Sequence, residues 1–188
     1  MVRWTLIIAS AAALGLAGCS KSDDASTAAV DASAAATGDG TLAETLDGAG
    51  DLSSTAGLVK AAGLDKTFGG VGSYTVFAPT NAAIAALPEA DRLALESPAG
   101  RVQLIALLSS HVSPGYMSRT DLDTALARAG GSINLASVGA AQIKLHKDGD
   151  VITLGDGDGA ARIVGTPITA SNGVIYPIDR VLPVPRGK

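Results

Sequence analysis

Apolar residues recur three or four positions apart through much of the first part of the chain. This is the spacing of one face of a helix. It predicts two short helices between residues 42 and 62, with Gly63 ending the second. A strand is expected over residues 74–78, where β-branched and aromatic residues precede Pro79.

A shorter helix is predicted to begin after Thr80, to contain Ile84 and Leu87, and to end at Pro88. Further helices are expected over residues 89–95, 98–110 and 120–129, the last ended by Gly130 and Gly131. The apolar positions of the 98–110 helix are Val102, Leu104, Ile105 and Leu108.

After Gly131 the period of the apolar positions drops to two, as in strands with one buried face. Segments that favour turns, at 147–150, 155–159 and 171–173, separate the predicted strands. Because helices dominate the first part and strands the second, we expect an α+β domain with mostly antiparallel strands. The apolar strand positions are Ile133, Leu135, Ile143, Leu145, Val151, Leu154, Ile163, Ile168, Val174, Ile178 and Val181.

The start of the chain has the features of an exported lipoprotein. Arg3 makes it positive, residues 4–16 are apolar, and Cys19, the only cysteine, follows Leu-Ala-Gly. Residues 16–19 resemble the lipobox of bacterial lipoproteins, which implies cleavage before Cys19 and lipid on its sulfur. One alternative is a membrane-spanning helix, but the apolar stretch is shorter than the ~20 residues a span needs. The other is a plain secretory signal with an incidental thiol.

Asp directly after the lipidated cysteine is the usual inner-membrane retention signal of that class. Ser20 therefore implies transport to the outer membrane in a host that has one. Residues 20–40 have almost no large apolar groups and predict a flexible tether spanning roughly 25 Å, with an Ala-rich nascent helix as the competing interpretation. The expected organisation is a leader at 1–18, a lipidated cysteine and tether at 19–40, and one domain at 41–188.

Composition narrows the class of partner. The chain has 188 residues, enough for one domain of medium size, and a formal net charge of −4. A nucleic-acid-binding domain would instead carry a basic face. The 23 glycines and the aromatic content of 3% predict many turns and a core of small aliphatic side chains.

Three ordered segments resemble the signature boxes of the fasciclin domain. They are YTVFAPTNAAI at 74–84, LLSSHVSPG at 107–115 and ASNGVIYPIDRVL at 170–182. Three matches in the right order are more specific than one short motif. The chain departs from the family pattern at Ile84, usually aromatic, at Ser110, where a tyrosine usually precedes the histidine, and at Tyr176, usually histidine.

The resemblance implies a compact fasciclin-like β-sandwich wedge, with several short helices in its first half. It implies a role in adhesion or matrix binding and no shared catalytic centre. The departure at Ser110 weakens any transfer of adhesion motifs proposed for animal members. The signature positions, to which we assign a structural role, are Phe77, Pro79, Thr80, Asn81, His111, Asn172, Gly173 and Asp179.

Residue chemistry supports that structural role. Thr80 or Asn81 can satisfy free N–H groups at a helix start. Asn172-Gly173 suits a tight turn with positive φ. Asp179 can pair with Arg180 or bind backbone groups, and the sequence leaves both open.

Motifs of the common catalytic classes are absent from the sequence. It has no Gly-x-Ser-x-Gly elbow, no Ser-x-x-Lys and no phosphate loop. Its two histidines are insufficient for a closed zinc site once Cys19 carries lipid. We expect His111 to bind backbone groups inside the domain and His146 to face solvent. We therefore predict a protein that is not an enzyme and has no cofactor or metal.

The segment Gly155-Asp156-Gly157-Asp158-Gly159 is the one candidate for calcium. An EF-hand loop would need a Glu nine or eleven residues after Asp156, where Gly165 and Pro167 stand. A hairpin loop is favoured instead, with glycines supplying positive φ and aspartates binding their own backbone.

The function expected from the sequence is a membrane-anchored, non-enzymatic adhesion or binding module of the bacterial cell envelope. Its lipid on Cys19 would hold it on the outer membrane, and its partners would be matrix, polysaccharide or protein, not nucleic acid. The alternative is a small-ligand-binding or enzymatic protein with a cleft near His111 and Tyr116.

Overall fold

The computed structural model describes residues 38–139 and 141–183. The predicted leader, Cys19, most of the tether and residues 184–188 lie outside the described residues. None of the helices within the described ranges is long and apolar enough to cross a membrane.

The predicted helices are present, with small changes at their ends. Gly63 ends the second with φ of 75°, as a left-handed cap, and Thr41 and Ser118 start two others with capping boxes. The helix after Thr80 stops at Ala85 and leaves Leu87 outside. Single 3₁₀ turns occupy Gly50–Leu52, Pro98–Gly100 and Gly157–Gly159. The α-helices are α1 Leu42–Gly48, α2 Ser53–Ala62, α3 Asp65–Phe68, α4 Asn81–Ala85, α5 Glu89–Glu96, α6 Arg101–Ser110 and α7 Arg119–Arg128.

The strands form two four-stranded sheets. The predicted strand at 74–78 is confirmed, and so are the alternating segments after Gly131, except that Ile163 forms only an isolated bridge and Val181 lies beyond the last strand. The short strand at 112–114 was not predicted. The bounds are β1 Tyr74–Pro79, β2 Val112–Pro114, β3 Ser132–Ala136, β4 Gln142–Asp148, β5 Val151–Leu154, β6 Ala161–Arg162, β7 Ile168–Ala170 and β8 Gly173–Ile178. The sheet orders are β2-β1-β8-β7 and β3-β4-β5-β6.

The strand pairings within these sheets are antiparallel except at the centre of the first sheet. There β1 and β8 run parallel, with Tyr74 opposite Gly173 and Pro79 opposite Ile178. The α+β class with mostly antiparallel strands is therefore confirmed, and the first and last signature boxes lie side by side.

Two cores lie on opposite faces of the β1–β8 pair. The helix-side core joins Val76, Ala78 and Ile175 to apolar residues of α1, α2 and α6. The sandwich core joins Phe77 and Tyr176 to the inner face of the second sheet and to α7. Because both faces of β1 and β8 are covered, most of their side chains are buried.

Three expectations about local detail are wrong. Val102 is 78% exposed, because α6 buries Leu104, Leu107 and Leu108 instead. Val151 is 45% exposed, because it pairs with Asp148 next to the hairpin turn and lies on the outer face of its strand. Gly173 is not among the glycines with positive φ in the described part of the chain.

Candidate functional site

Asn172 joins the turn before β8 to two helices. Its Oδ1 accepts a hydrogen bond from the N–H of Leu42 at 2.7 Å, at the first turn of α1. Its Nδ2 donates to the carbonyls of Phe68 and Gly70, at 2.8 Å each. One amide thus fixes the start of α1 and the end of α3, which only a side chain with both donors and an acceptor can do.

Asn81 makes an equivalent junction at the other end of the first sheet. Its Oδ1 accepts from the N–H of Ser54 at 2.8 Å, at the start of α2. Its Nδ2 donates to the carbonyl of Gly50 at 2.8 Å and to the hydroxyl of Ser53 at 3.1 Å. The start of α2 is therefore held against the start of α4.

Two neighbours of Asn81 complete this junction. Thr80 is the N-cap of α4, and its Oγ1 accepts from the N–H of Ala83 at 3.2 Å. The carbonyl of Pro79 accepts from the buried hydroxyl of Thr55 at 2.6 Å. The signature residues at 79–81 thus end β1, begin α4 and bind α2.

His111 is 2% exposed, and both of its ring nitrogens are occupied. Nδ1 lies 2.7 Å from the carbonyl of Leu107, and Nε2 lies 2.9 Å from the N–H of Leu182. A carbonyl only accepts and an N–H only donates, so the ring is the neutral tautomer with its proton on Nδ1. Burial lowers the pKa of His111 to about 4, against a hydrogen bond to Leu107 that acts to raise it. Neither nitrogen is available to a substrate at a cleft near His111 and Tyr116.

Phe77 and Tyr176 form the aromatic centre of the sandwich core. Their rings stack with centroids 5.6 Å apart. The hydroxyl of Tyr176 donates to the carbonyl of Met117 at 2.9 Å, and burial raises the pKa of this phenol. Tyr176, which replaces the histidine usual in the family pattern, therefore remains a neutral donor that binds the segment before α7.

Gly173 is required for space. A Cβ there would lie 2.2 Å from the carbonyl oxygen of Tyr74 and 2.6 Å from Cδ1 of Leu42. The close approach of β1, β8 and α1 therefore explains the glycine, and the expected positive φ at this residue does not.

Asp179 and Arg180 do not pair with each other. The Oδ1 of Asp179 accepts from the N–H of Arg162 at 2.7 Å, and Arg180 donates to the carbonyl of Asp158. Asp179 thus ties β6 to the end of β8, where Ile163 and Ile178 form an isolated bridge. Taken together, the signature residues make separate junctions between elements of the domain, and the structure does not bring them to one site.

A groove of about 580 Å³ rich in polar side chains lies on the outer face of the second sheet. Its floor comes from β4, β5 and β6, and its walls from the loop at 155–160 and the turn at 179–180. We call it the sheet groove. The side chains that give it its polar character are those of His146, Thr153, Asp156, Asp158, Arg162, Asp179 and Arg180.

The 155–159 segment is a loop between antiparallel strands, as favoured, with positive φ at Gly155 and Gly157. The aspartates do not bind their own backbone: Asp156 forms an ion pair with Lys144 at 2.8 Å. Residues 38–139 and 141–183 contain no group of three or more His, Cys, Asp or Glu positioned to hold a metal ion.

The alternating pattern of the sequence predicts which side chains of β4 are exposed, and His146 faces solvent as expected. It did not indicate the sheet groove. That feature depends on the register of three strands and on the position of the 179–180 turn, and no local pattern encodes either.

Comparisons with known proteins agree with this architecture. The family model of the fasciclin domain matches residues 50–185. Protein sll1483 of Synechocystis sp. is 32% identical over 143 residues, which cover 76% of this chain and 72% of that protein. Transforming growth factor-beta-induced protein ig-h3 of Sus scrofa is 29% identical over 149 residues, which cover 79% of this chain and 20% of that protein.

Among solved structures, a FAS1 domain pair from the insect cell adhesion molecule Fasciclin I is similar in fold, with a TM-score of 0.67 at 17% identity. The match covers 78% of this chain and 51% of that chain, so this chain spans about half of the pair. Because the family model covers most of its length and its sandwich matches a known FAS1 fold, the chain belongs to the fasciclin domain family.

Proposed function

We propose that this protein is a membrane-anchored, non-enzymatic adhesion module of the bacterial cell envelope. Membership of the fasciclin family carries the proposal, since one relative in fold is a cell adhesion molecule. Partners would be matrix, polysaccharide or protein at the cell surface or in the periplasm.

The positions of the signature residues support a binding role over catalysis. Asn81, His111 and Asn172 use their polar atoms to hold helices and strands together. Catalysis requires groups that are free to act on a substrate, and these groups already hydrogen-bond to other parts of the domain. The outer surface of the domain is left for recognition.

The lipobox at residues 16–19 supports the anchor. Two or three acyl chains hold a protein durably on a bilayer, whereas one chain holds it marginally. The tether at 19–40 would keep the domain near the membrane and let it turn toward partners. Ser20 favours delivery to the outer membrane.

Fractionation of cells tests the anchor. The native chain should sediment with the outer membrane, Cys19→Ala should leave the membrane fraction, and Ser20→Asp should move to the inner membrane. Ser20→Ala is the matched control and should fractionate like the native chain. Recovery of Cys19→Ala in the membrane fraction would contradict the anchor.

Capture and adhesion test the binding role. The anchored chain should retain an envelope component from extract, and a deletion strain should adhere less than its parent. A deletion strain that adheres like its parent would contradict the adhesion function, and a chain that retains nothing would contradict the binding role.

A further inference from the structure

The floor of the sheet groove is a row of side chains paired across three strands. His146 of β4 lies opposite Thr153 of β5, and Thr153 lies opposite Arg162 of β6. Directly paired residues place their side chains on the same face, about 4.5–5.5 Å apart at Cβ. Imidazole, hydroxyl and guanidinium groups therefore form one continuous polar strip.

The strip is held rigidly by backbone hydrogen bonds. Gly155 N–H donates to Lys144 O at 2.8 Å, and Asp179 N–H donates to Arg162 O at 3.0 Å. Asp179 Oδ1 also accepts from the N–H of Arg162. The loop and turn that wall the groove are thus fixed to its floor, which reduces the ordering that a ligand would have to impose.

The charges in and beside the groove balance. Three cations, Lys144, Arg162 and Arg180, accompany three carboxylates, Asp156, Asp158 and Asp179. Lys144 pairs with Asp156, and Arg180 donates to the carbonyl of Asp158.

Two groups of opposite character remain uncommitted. Across residues 38–139 and 141–183, the guanidinium of Arg162 and the carboxylate of Asp158 make no hydrogen bond or ion pair with another residue. The groove therefore offers both a strong donor and a strong acceptor to a ligand.

This arrangement selects among ligand classes. An apolar ligand would leave the guanidinium and carboxylate groups without partners, at a cost of a few kcal/mol for each buried group. An acidic polymer would find no net positive charge, because the three carboxylates offset the three cations. A sugar carries several hydroxyls, each of which both donates and accepts, so one sugar chain satisfies the carboxylate and the guanidinium. We propose that the sheet groove binds a neutral, hydroxyl-rich polysaccharide; this deepens the proposed adhesion function and rests on it.

The groove also explains why an anchor would matter. No Phe, Tyr or Trp among the described residues lines the groove, so only the imidazole of His146 is available to stack on a sugar ring and one domain binds weakly. Many domains held on one cell meet a polymer that repeats the same unit. Their combined binding exceeds that of one domain by orders of magnitude.

Affinity electrophoresis of the full chain in detergent micelles tests this directly. The gels contain dextran, laminarin or galactomannan as neutral probes and polygalacturonate as the acidic probe. At least one neutral polymer should retard the chain, and polygalacturonate should not. Arg162→Ala and Asp158→Ala should each weaken the retardation about tenfold, the loss expected for one charge-assisted hydrogen bond.

Arg128→Ala is the matched control. Arg128 is exposed at the end of α7 and does not line the groove, so its loss removes the same charge elsewhere. It should bind like the native chain, and unchanged thermal melting should show that all three variants fold. Lack of retardation in every neutral gel, undiminished binding by Arg162→Ala, or equal binding to polygalacturonate would each overturn the proposal.

An adhesion assay with complemented deletion strains distinguishes failure of this proposal from failure of the adhesion function. A deletion strain that produces anchored Arg162→Ala should fail to adhere. If that strain adheres normally while the deletion strain does not, the groove is wrong and the adhesion function stands. If the deletion strain adheres like its parent, the adhesion function is wrong.

Discussion

The imidazole of His111 accepts a hydrogen bond from the backbone N–H of Leu182, 71 positions later in the chain, at 2.9 Å. His111 follows the last turn of α6, which contributes to the helix-side core, and the side chain of Leu182 belongs to the sandwich core. The carbonyl of His111 also accepts from the N–H of Phe77. One buried residue thus links α6, β1 and the end of the domain.

This bond predicts that acid destabilises the protein through His111. The unfolded chain binds a proton at this histidine near the ordinary histidine pKa of 6.5, whereas the folded pKa is about 4. The unfolded state therefore binds more protons between these values, so stability is full above about pH 6.5 and falls as the pH drops. The free energy of unfolding, measured in urea, should decrease by about 2 kcal/mol between pH 7 and about pH 5.

His111→Gln should abolish that decrease, because glutamine keeps a donor and an acceptor but does not titrate. His146→Gln, at an exposed position, is the control and should keep it. A hydrogen bond to the Thr41 backbone lowers the pKa of Glu44, and a hydrogen bond from Lys147 is the main cause that lowers the pKa of Asp123. Both carboxylates therefore lose their contribution to stability at a lower pH than His111 does. A decrease that persists in His111→Gln would contradict the assignment.

The hydrogen bonds of the Asn172 amide predict an unusual order of stability among variants at this position. Asn172→Ala should cost about 2–4 kcal/mol of unfolding free energy, because three hydrogen bonds are lost. Asn172→Asp should cost at least as much at neutral pH, since a carboxylate only accepts and would face the carbonyls of Phe68 and Gly70.

Urea denaturation with Asn134→Ala as control checks this order. Asn134 is exposed on β3, where a change should stay within about 0.5 kcal/mol. If Asn172→Asp were as stable as the native chain, the amide donors would have no structural role.

Two glycine substitutions should have opposite effects. Gly173→Ala should lower stability by about 3 kcal/mol or more, because its Cβ would meet a backbone atom that cannot turn away. Gly57→Ala, inside α2 with open space around its Cβ, should raise stability by about 0.5–1 kcal/mol. Thermal melting of both variants measures the contrast, and equal effects would contradict the close packing of β1, β8 and α1.

Local patterns in the sequence predict most of the helices and strands but do not predict which strands pair with each other. The capping of α4 by Thr80 and the end of α2 at Gly63 follow from side-chain chemistry within a few residues. The parallel pairing of Tyr74 with Gly173 joins segments about a hundred positions apart, and a period of two does not specify a partner. The strand Val112–Pro114 has three residues and ends in proline, which gives no alternating signal.

The remaining differences have the same origin. At Gly173 the expected positive φ is absent, and the crowding that a Cβ would meet comes from Tyr74 and Leu42. The groove at Arg162 needs strand register as well as residue type. Junction residues such as Asn172 were found through the family resemblance, while their partners required the folded structure.

Adhesion assays with anchored and released protein test whether the domain acts from a membrane anchor at Cys19. Deletion strains producing either the native chain or Cys19→Ala, at equal protein amounts, are washed over a surface coated with the polysaccharide or envelope component that the native chain retains. We expect cells with the native chain to stay attached and cells with Cys19→Ala to attach no better than the deletion strain, because binding depends on the anchor. Equal attachment by the two strains would contradict this expectation.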